Sequence, residues 1–282
     1  MTELSVTGEA EEGPESQARR VDNAGYAKAS PLVFQYRVIK AIVLRDMSAR
    51  TGTSRLGPLL QILMPIVTLS SMILMFGFRG KVIPSGFPLA VFVITGYPLW
   101  QSFSGTYSKV MNAAAKTDPL LMFPQITQLD LVLATIILDW ATNSVVFFVL
   151  CIGVVVIFGD AAPADPLGVI FCFWGCMWIG SAVGMILCGL QRTIPIVAQF
   201  LNIFMRFGMW VSGVLYSVNK LPSFLWPYLK WNPILHLIEG CRHLWNPDFD
   251  APIFSPSYVF IIGFILTVIG LVVERASRRF VG

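Results

Sequence analysis

The chain has 282 residues, of which 55% are hydrophobic and only 13% charged, with a formal net charge of +4 and five cysteines. That balance excludes an ordinary soluble domain and fits a polytopic membrane protein. The modest positive charge is no argument for nucleic acid, because the bases cluster at the edges of apolar stretches, where they would meet anionic lipid headgroups.

In chain order, residues 1–30 form an acidic segment with Glu3, Glu9, Glu11, Glu12 and Glu15. It has no apolar core and no positive start, so it is expected to be a disordered tail rather than a signal peptide. Residues 31–57 read as an amphipathic helix over Leu32–Leu56. Leu32, Val33, Tyr36, Ile39, Val43 and Leu44 recur at near-helical spacing, and Arg37, Lys40, Arg45 and Arg50 take other positions. Such a helix is expected at the membrane interface, as an anchor or as a gate in which Arg45, Arg50 and Arg55 mark the charged side. Gly57-Pro58 marks the turn into the third unit, residues 58–282.

This unit holds six runs long enough to cross a bilayer: Leu59–Phe78, Phe87–Tyr107, Leu129–Phe158, Leu167–Leu190, Ile194–Ser217 and Pro256–Val273. Backbone amides in hydrocarbon must pair internally, and about 20 apolar residues without strict alternation favour helices over a barrel. The fold class is therefore an all-α membrane protein with six transmembrane helices. Arg19, Arg20, Lys28 and the bases of residues 31–57 precede the first span. Lys109 and Lys116 follow the second, Arg192 the fourth, and Arg275, Arg278 and Arg279 the sixth. The other face holds Arg79, Lys81, Lys220, Lys230 and Arg242, with Asp160 and Asp165 unaccompanied by a base between spans three and four. Lys and Arg resist translocation, so both termini are expected in the cytoplasm.

Two connections stand out. Between spans two and three, Asp118 is a good N-cap, Pro119 suits a first turn and Pro124 stops the helix. The intervening Leu120, Leu121, Met122 and Phe123 make a short apolar knob that calls for a protein socket, with membrane-surface packing as the plainer reading. Between spans five and six, residues 218–255 carry five prolines and the aromatics Phe224, Trp226, Tyr228, Trp231, Trp245 and Phe249. This segment is too polar to cross and too apolar to float free, so short interfacial or re-entrant helices are expected.

The chain has no G-x-x-x-x-G-K-[ST] phosphate loop, no G-x-S-x-G elbow, no H-E-x-x-H and no Cys/His zinc spacing. His236, Glu239 and His243 share a helical spacing that a transition metal could use, but a hydrogen-bonded network of His236, Glu239 and Arg242 holding the outer loop is the stronger expectation. Cys151, Cys172, Cys176 and Cys188 fall inside spans and Cys241 outside them, as inert buried thiols. Arg206 and Asp139 fall deep in spans five and three. They are expected either to pair with one another or to line a pathway, with Arg206 offering a cationic fork to phosphate or carboxylate. Tyr97, Trp100, Phe103 and Tyr107 in span two, and Phe204, Phe207 and Trp210 in span five, are either core and belt aromatics or stacking surfaces for sugars. Gly180-x-x-x-Gly184 permits close helix contact.

The run Leu44-Arg45-Asp46…Arg50…Gly52…Arg55-Leu56-Gly57…Ile62-Leu63…Pro65 resembles the opening of ABC-2-type exporter permeases, in particular the capsular polysaccharide export subgroup. Trp231-Asn232-Pro233…His236…Glu239…Arg242 is similar to that subgroup's W-N-P-x-x-H-x-x-E-x-x-R segment. The resemblance covers about Leu32 to the C-terminus, and Met64 stands where members often carry a glutamate. It implies an inner-membrane permease without catalytic residues, cofactor or metal of its own. A second copy would complete the path, and a separate cytoplasmic ATPase pair would bind ATP and Mg. Asp118, Leu120, Leu121, Met122 and Phe123 then resemble the coupling helix. The substrate would be a lipid-linked anionic polysaccharide, handed to periplasmic and outer-membrane capsule export components. Substrate-pathway candidates are Arg206, Asp139, Tyr97, Trp100, Phe103, Phe207 and Trp210; the outer-loop network is Trp231, Asn232, His236, Glu239 and Arg242. O-antigen or teichoic-acid export is the nearest alternative. A membrane-bound glycan-modifying enzyme using His236 and Glu239, and a channel or secondary transporter using Asp139 and Arg206, are alternatives of other classes.

Overall fold

A computed structural model describes residues 31–52, 57–79, 87–113, 127–159 and 162–281. Nine α-helices and two short 3₁₀ turns account for the regular structure of the described residues: α1 (Pro31–Gly52), α2 (Gly57–Arg79), α3 (Leu89–Ala113), α4 (Gln128–Phe158), α5 (Pro166–Thr193), α6 (Pro195–Val211), α7 (Trp226–Leu229), α8 (Pro233–Trp245) and α9 (Pro256–Val281). No strand occurs among them. By length and composition α4, α5 and α9 can each cross a bilayer, and Leu63–Gly77 and Pro195–Val211 are shorter apolar helices.

Local chemistry fixes the ends. Thr127 and Asp130 form a reciprocal capping box at the start of α4, and Gly159, at φ 67°, closes that helix in the left-handed region. Asp165 caps α5 through Gly168 N at 3.0 Å, with Pro166 in the first turn. Asn232 caps α8 in the same manner, its side chain accepting from Ile234 N at 3.0 Å ahead of Pro233.

Helix α5 is the axis of the bundle: 72% of its apolar window is buried, against 17% for α4 and for α9. Glycine makes that centrality possible. A Cβ on Gly180 would lie 2.7 Å from Phe103 O, and one on Gly184 2.6 Å from Val110 Cβ, so α3 can lie against α5 only because both positions are bare. Direction follows from which residues meet. Gly180 and Gly184 meet Phe103 and Val110, so α3 and α5 are parallel. Trp178 donates to Thr267 Oγ1 at 3.0 Å and Gly189 abuts Val273, so α9 is parallel to α5 as well. Gln128, Trp140 and Ser144 meet Arg192, Ser181 and Trp174, which sets α4 antiparallel. Phe76 meets Phe92 while Pro65 and Leu69 lie beside Tyr97 and Gln101, which turns α2 against α3, and Gly208 against Trp100, with Asn202 and Arg206 beside Ser108, turns α6 against it too. Thus α2, α4 and α6 run one way and α3, α5 and α9 the other.

One end of this bundle gathers Lys109, Gln128, Arg192 and Arg275. Helix α1 joins it there: Gln35 donates to Asp130 Oδ1 at 3.1 Å, and Ile42 packs on Leu131 and Ala134 with Val38, Ile39 and Val43 alongside. The seam uses Ile39 and Val43 as the periodicity predicts, but Tyr36 and Leu44 are exposed, and residues 53–56 of the expected helix lie outside the described residues. The opposite end carries α7, α8 and the turns around them.

The fifth apolar run departs most from its expected length. Helix α6 stops at Val211, not Ser217. Gly213 adopts φ +72°, the chain unwinds, and the freed Val214 and Tyr216 carbonyls accept from Arg242 at 3.4 and 3.0 Å. A charged side chain from α8 thus terminates an apolar helix.

Candidate functional site: a cationic aromatic cleft and a buried outer network

On the side of α3 that faces α6 lies a cleft of about 430 Å³, lined by Trp100, Gln101, Ser104, Gly105, Tyr107, Ser108, Asn202 and Arg206. Arg206 is exposed to it, and among the described residues no carboxylate pairs with it. Trp100, Phe103 and Tyr107 form a continuous ring series, with centroids 5.2 and 5.4 Å apart. Trp100 and Tyr107 border the cleft, while Phe103 is buried behind them as their support. A half-exposed guanidinium beside two aromatic faces, two serines and two amides can hold an anionic group and stack a flat sugar or acyl surface.

The structure does not bring the other pathway candidates here. Asp139 is fully buried on α4, where it forms an ion pair with Lys109 and accepts from Thr106 Oγ1 at 2.6 Å. An Asp139–Arg206 pair is thereby replaced by an Asp139–Lys109 pair. Lys109 reads as a loop base in the sequence, but α3 runs on to Ala113 and carries it inside the helix, one turn past Thr106. The signal was the apolar Val110-Met111 that follows it. Tyr97 borders a separate, narrow cavity of about 40 Å³ with Pro65, Pro98 and Phe147. Phe207 and Trp210 lie on the outer face of α6, exposed.

The outer-loop residues do come together. Helix α8 is continuous through Gly240, despite the break that Pro233 and Gly240 suggest, and it is pressed into the bundle. Arg242 is fully buried; Nη1 donates to Glu239 Oε1 at 3.1 Å, and its Cζ lies 3.9 Å from the Phe92 ring centre. A Cβ on Gly96 would lie 3.0 Å from Arg242 Nη2, so the seat of this arginine depends on a bare position in α3. Neither Phe92 nor Gly96 carries a sequence signal for that role. Glu239 Oε1 also accepts from Val218 N at 3.3 Å. Burial pushes the Glu239 carboxyl above its usual range and the Arg242 guanidinium below its own, and each partner's charge opposes the other's shift.

His236 ties a different pair of segments. Its Nδ1 accepts from Ser255 N at 3.2 Å, so Nε2 carries the proton and donates to Lys230 O at 2.8 Å, and the ring lies 4.8 Å from that of Tyr258. Asn232 Nδ2 donates to Ser212 Oγ at 2.9 Å, while Trp231 is exposed and offers its carbonyl to Tyr258. With both ring nitrogens occupied and Glu239 enclosed, neither is open to a substrate as an acid or base. His243 Nδ1 donates to Phe249 O at 2.7 Å, and among the described residues no group of three metal-ligating side chains converges. Arg45 lies on the exposed side of α1, Arg50 falls within the same helix, and Arg55, Asp118, Leu120, Leu121, Met122 and Phe123 lie outside the described residues.

An alternating apolar bundle, with α1 docked at one end and the charged, buried α8 at the other, is the architecture of an all-α membrane protein. The chain belongs to the ABC-2 type transporter family, whose profile matches residues 37–245. It is 24% identical to the capsule polysaccharide export inner-membrane protein CtrC of Neisseria meningitidis serogroup A, over 88% of this chain and 94% of that one. It is 25% identical to the polysialic acid transport protein KpsM of Escherichia coli, over 86% of this chain and 93% of that one, and 23% identical to the capsule polysaccharide export inner-membrane protein BexB of Haemophilus influenzae, over 86% and 92%.

Proposed function

We propose that this chain is the transmembrane permease subunit of an ATP-driven exporter that moves a lipid-linked, anionic capsular polysaccharide across the inner membrane. The observation that carries this reading is the nearly end-to-end likeness to CtrC, KpsM and BexB, which are named for capsule polysaccharide or polysialic acid transport. The 430 Å³ cleft agrees with it, since an exposed arginine beside aromatic faces suits an acidic glycan or its phosphate-bearing end.

In this reading six crossings place both termini in the cytoplasm. The alternation of α2 to α6 and α9, and the bases gathered at one end, support that orientation. Two copies form the path, the exposed face of α6 being available to a second copy or to lipid. A separate ATPase pair supplies the energy, because the sequence has no phosphate loop, and ATP and Mg bind there. The apolar segment Leu120–Phe123 seats on the ATPase and transmits its closure, α1 gates the cytoplasmic mouth, and capsule export components beyond the membrane receive the polymer.

The test is to express the chain with its neighbouring genes and purify it in mild detergent. An ATPase is expected to co-purify in equal amount, and Leu121→Asp or Phe123→Asp is expected to insert normally while losing that ATPase and polymer export. An unpaired carboxylate in a dry socket costs more than the roughly 2–7 kcal/mol of a neutral polar group left without a hydrogen bond. Export by this chain alone, or unchanged export by both variants, would overturn the reading.

A further inference from the structure

The end of the bundle opposite α8 holds a second cleft, of about 520 Å³, where the last turns of α5 and α9 meet Ile194, the residue between α5 and α6. Arg192, Thr193 and Ile194 form one wall and Val273, Ala276 and Ser277 the other. Its floor is the close approach of Gly189 to Val273, where a Cβ would lie 2.7 Å from Cγ1.

Arg192 is partly withdrawn from water and, among the described residues, has no counterion. Nη1 donates to Gln128 Oε1 and Nη2 to Cys188 Sγ at 3.7 Å, both neutral, and Nε is buried without an acceptor. The ion pairs among the described residues are Lys109–Asp139 and Arg242–Glu239, so none neutralises it. Glu274, one turn before Ser277, is buried and engaged with a partner of its own. The hydroxyl protons of Thr193 and Ser277 are committed to helix carbonyls, which leaves Arg192 to set the sign of any ligand. A partly buried cation with neutral partners favours an anion in the space beside it.

The rest of the cleft states what kind of anion. Ile194, Val273 and Ala276 make its walls largely apolar. Ile269 and Val272 continue the Ala276 face of α9 away from the helix end and are exposed. Both helices that form the cleft are long and apolar, and the last turns of α9 carry Arg275, Arg278 and Arg279 in sequence. That sequence of features, apolar groove below and bases above, is the profile of headgroup depth in a bilayer. We propose that this cleft is a binding site for an anionic phospholipid of the bilayer, its phosphate against Arg192 and its glycerol and upper acyl chain along Ala276, Val272 and Ile269. The site is separate from the Arg206 cleft and holds a resident lipid at the α5–α6 junction.

The full chain, purified in detergent, is titrated with phosphatidylglycerol or with phosphatidylcholine of the same acyl chains, and bound lipid per chain is read by native mass spectrometry. Phosphatidylglycerol is expected to bind one per chain. Arg192→Gln is expected to weaken it roughly tenfold, towards the level of phosphatidylcholine. Ala276→Phe, which fills the cleft and keeps the charge, is expected to weaken it comparably, and it decides alone if Arg192→Gln does not fold. Equal binding of the two lipids, or wild-type binding of phosphatidylglycerol by both variants, overturns the proposal. Displacement of the lipid by inorganic phosphate at millimolar level overturns it in favour of a plain anion site. Loss of the bound lipid when the co-purified ATPase is present overturns it in favour of a protein-docking surface.

Discussion

Helices α6 and α8 invert the rule that apolar residues go inside. α6 is almost wholly apolar, yet Ala198 is its one buried residue, and Phe200, Phe204, Phe207 and Trp210 are 62% to 70% exposed. α8 carries His236, Glu239, Arg242 and His243, yet ten of its thirteen residues are buried. In water, hydropathy selects the interior. In a bilayer, an apolar side chain gains little by leaving hydrocarbon, whereas a charged one must find donors and acceptors inside the protein or reach the interface. Between these two helices, burial therefore follows hydrogen-bonding need and not apolarity.

The sharpest way to break that comparison is to remove the charge that α8 buries. Arg242→Met leaves Glu239 enclosed without its partner and frees the Val214 and Tyr216 carbonyls at the end of α6. The expected loss is about 3–5 kcal/mol, the usual cost of orphaning a buried ion. It should appear as a large fall in the detergent unfolding midpoint and in the yield of folded protein. Adding Glu239→Gln should recover much of it, since a neutral amide no longer needs the guanidinium. An Arg242→Met protein as stable as the parent would mean that α8 is buried for its leucines and isoleucines alone.

The same contrast explains what the sequence reveals. Long apolar runs are legible because length and composition decide them: α4 begins and ends within one residue of the expected span. The end of α6 is not legible, because it depends on Arg242 arriving from about thirty residues away, and hydropathy continues unbroken through Val214-Leu215. The pairing of Asp139 escaped for a related reason. An acid within a span announces the need for a partner, but the identity of the partner is a matter of helix register, and Lys109 lay just past the edge assigned to span two. Among site residues, the Glu239–Arg242 contact follows from i,i+3 spacing. The Phe92 face and the Gly96 gap that receive it are ordinary apolar and small residues until α3 is laid beside α8.

A smaller effect separates the two intramembrane charges. Arg206 faces a cleft, and Asp139 is sealed against Lys109 and Thr106. Arg206→Met should change stability by no more than about 0.5 kcal/mol, as for exposed sites without a buried partner, while abolishing export; Arg206→Lys should keep part of it. Asp139→Asn should cost more, about 1–3 kcal/mol, through the weakened hydrogen bonding of a buried carboxylate site. Because the two do not pair, their effects on unfolding should add within roughly 0.5 kcal/mol. A double Arg206→Met, Asp139→Leu variant that regained full export would couple the two residues and remove Arg206 from the substrate path.

The smallest expected effect is a pH dependence at His236. Burial lowers its pKa from the usual 6.5, and the neighbouring Lys230 charge lowers it further, while the bond to the Lys230 carbonyl works in the other direction. The folded chain thus holds the imidazole neutral, with Nδ1 accepting from Ser255 N. The unfolded chain takes up a proton first as the pH falls through about 6.5. Between that value and the lower folded one, the unfolded state binds more protons, so stability declines with falling pH and levels off below the folded pKa; above the unfolded value the contribution is fully present. Protonation would also place an N–H against the Ser255 N–H, which loosens the junction of α8 with α9. Unfolding midpoints measured from about pH 8 down to about pH 5 should therefore fall more steeply for the parent than for His236→Gln, whose side chain cannot charge in that range. Parallel curves would mean that the two backbone bonds to His236 do not fix its neutral form, and that the acid sensitivity of the outer loop lies in other groups.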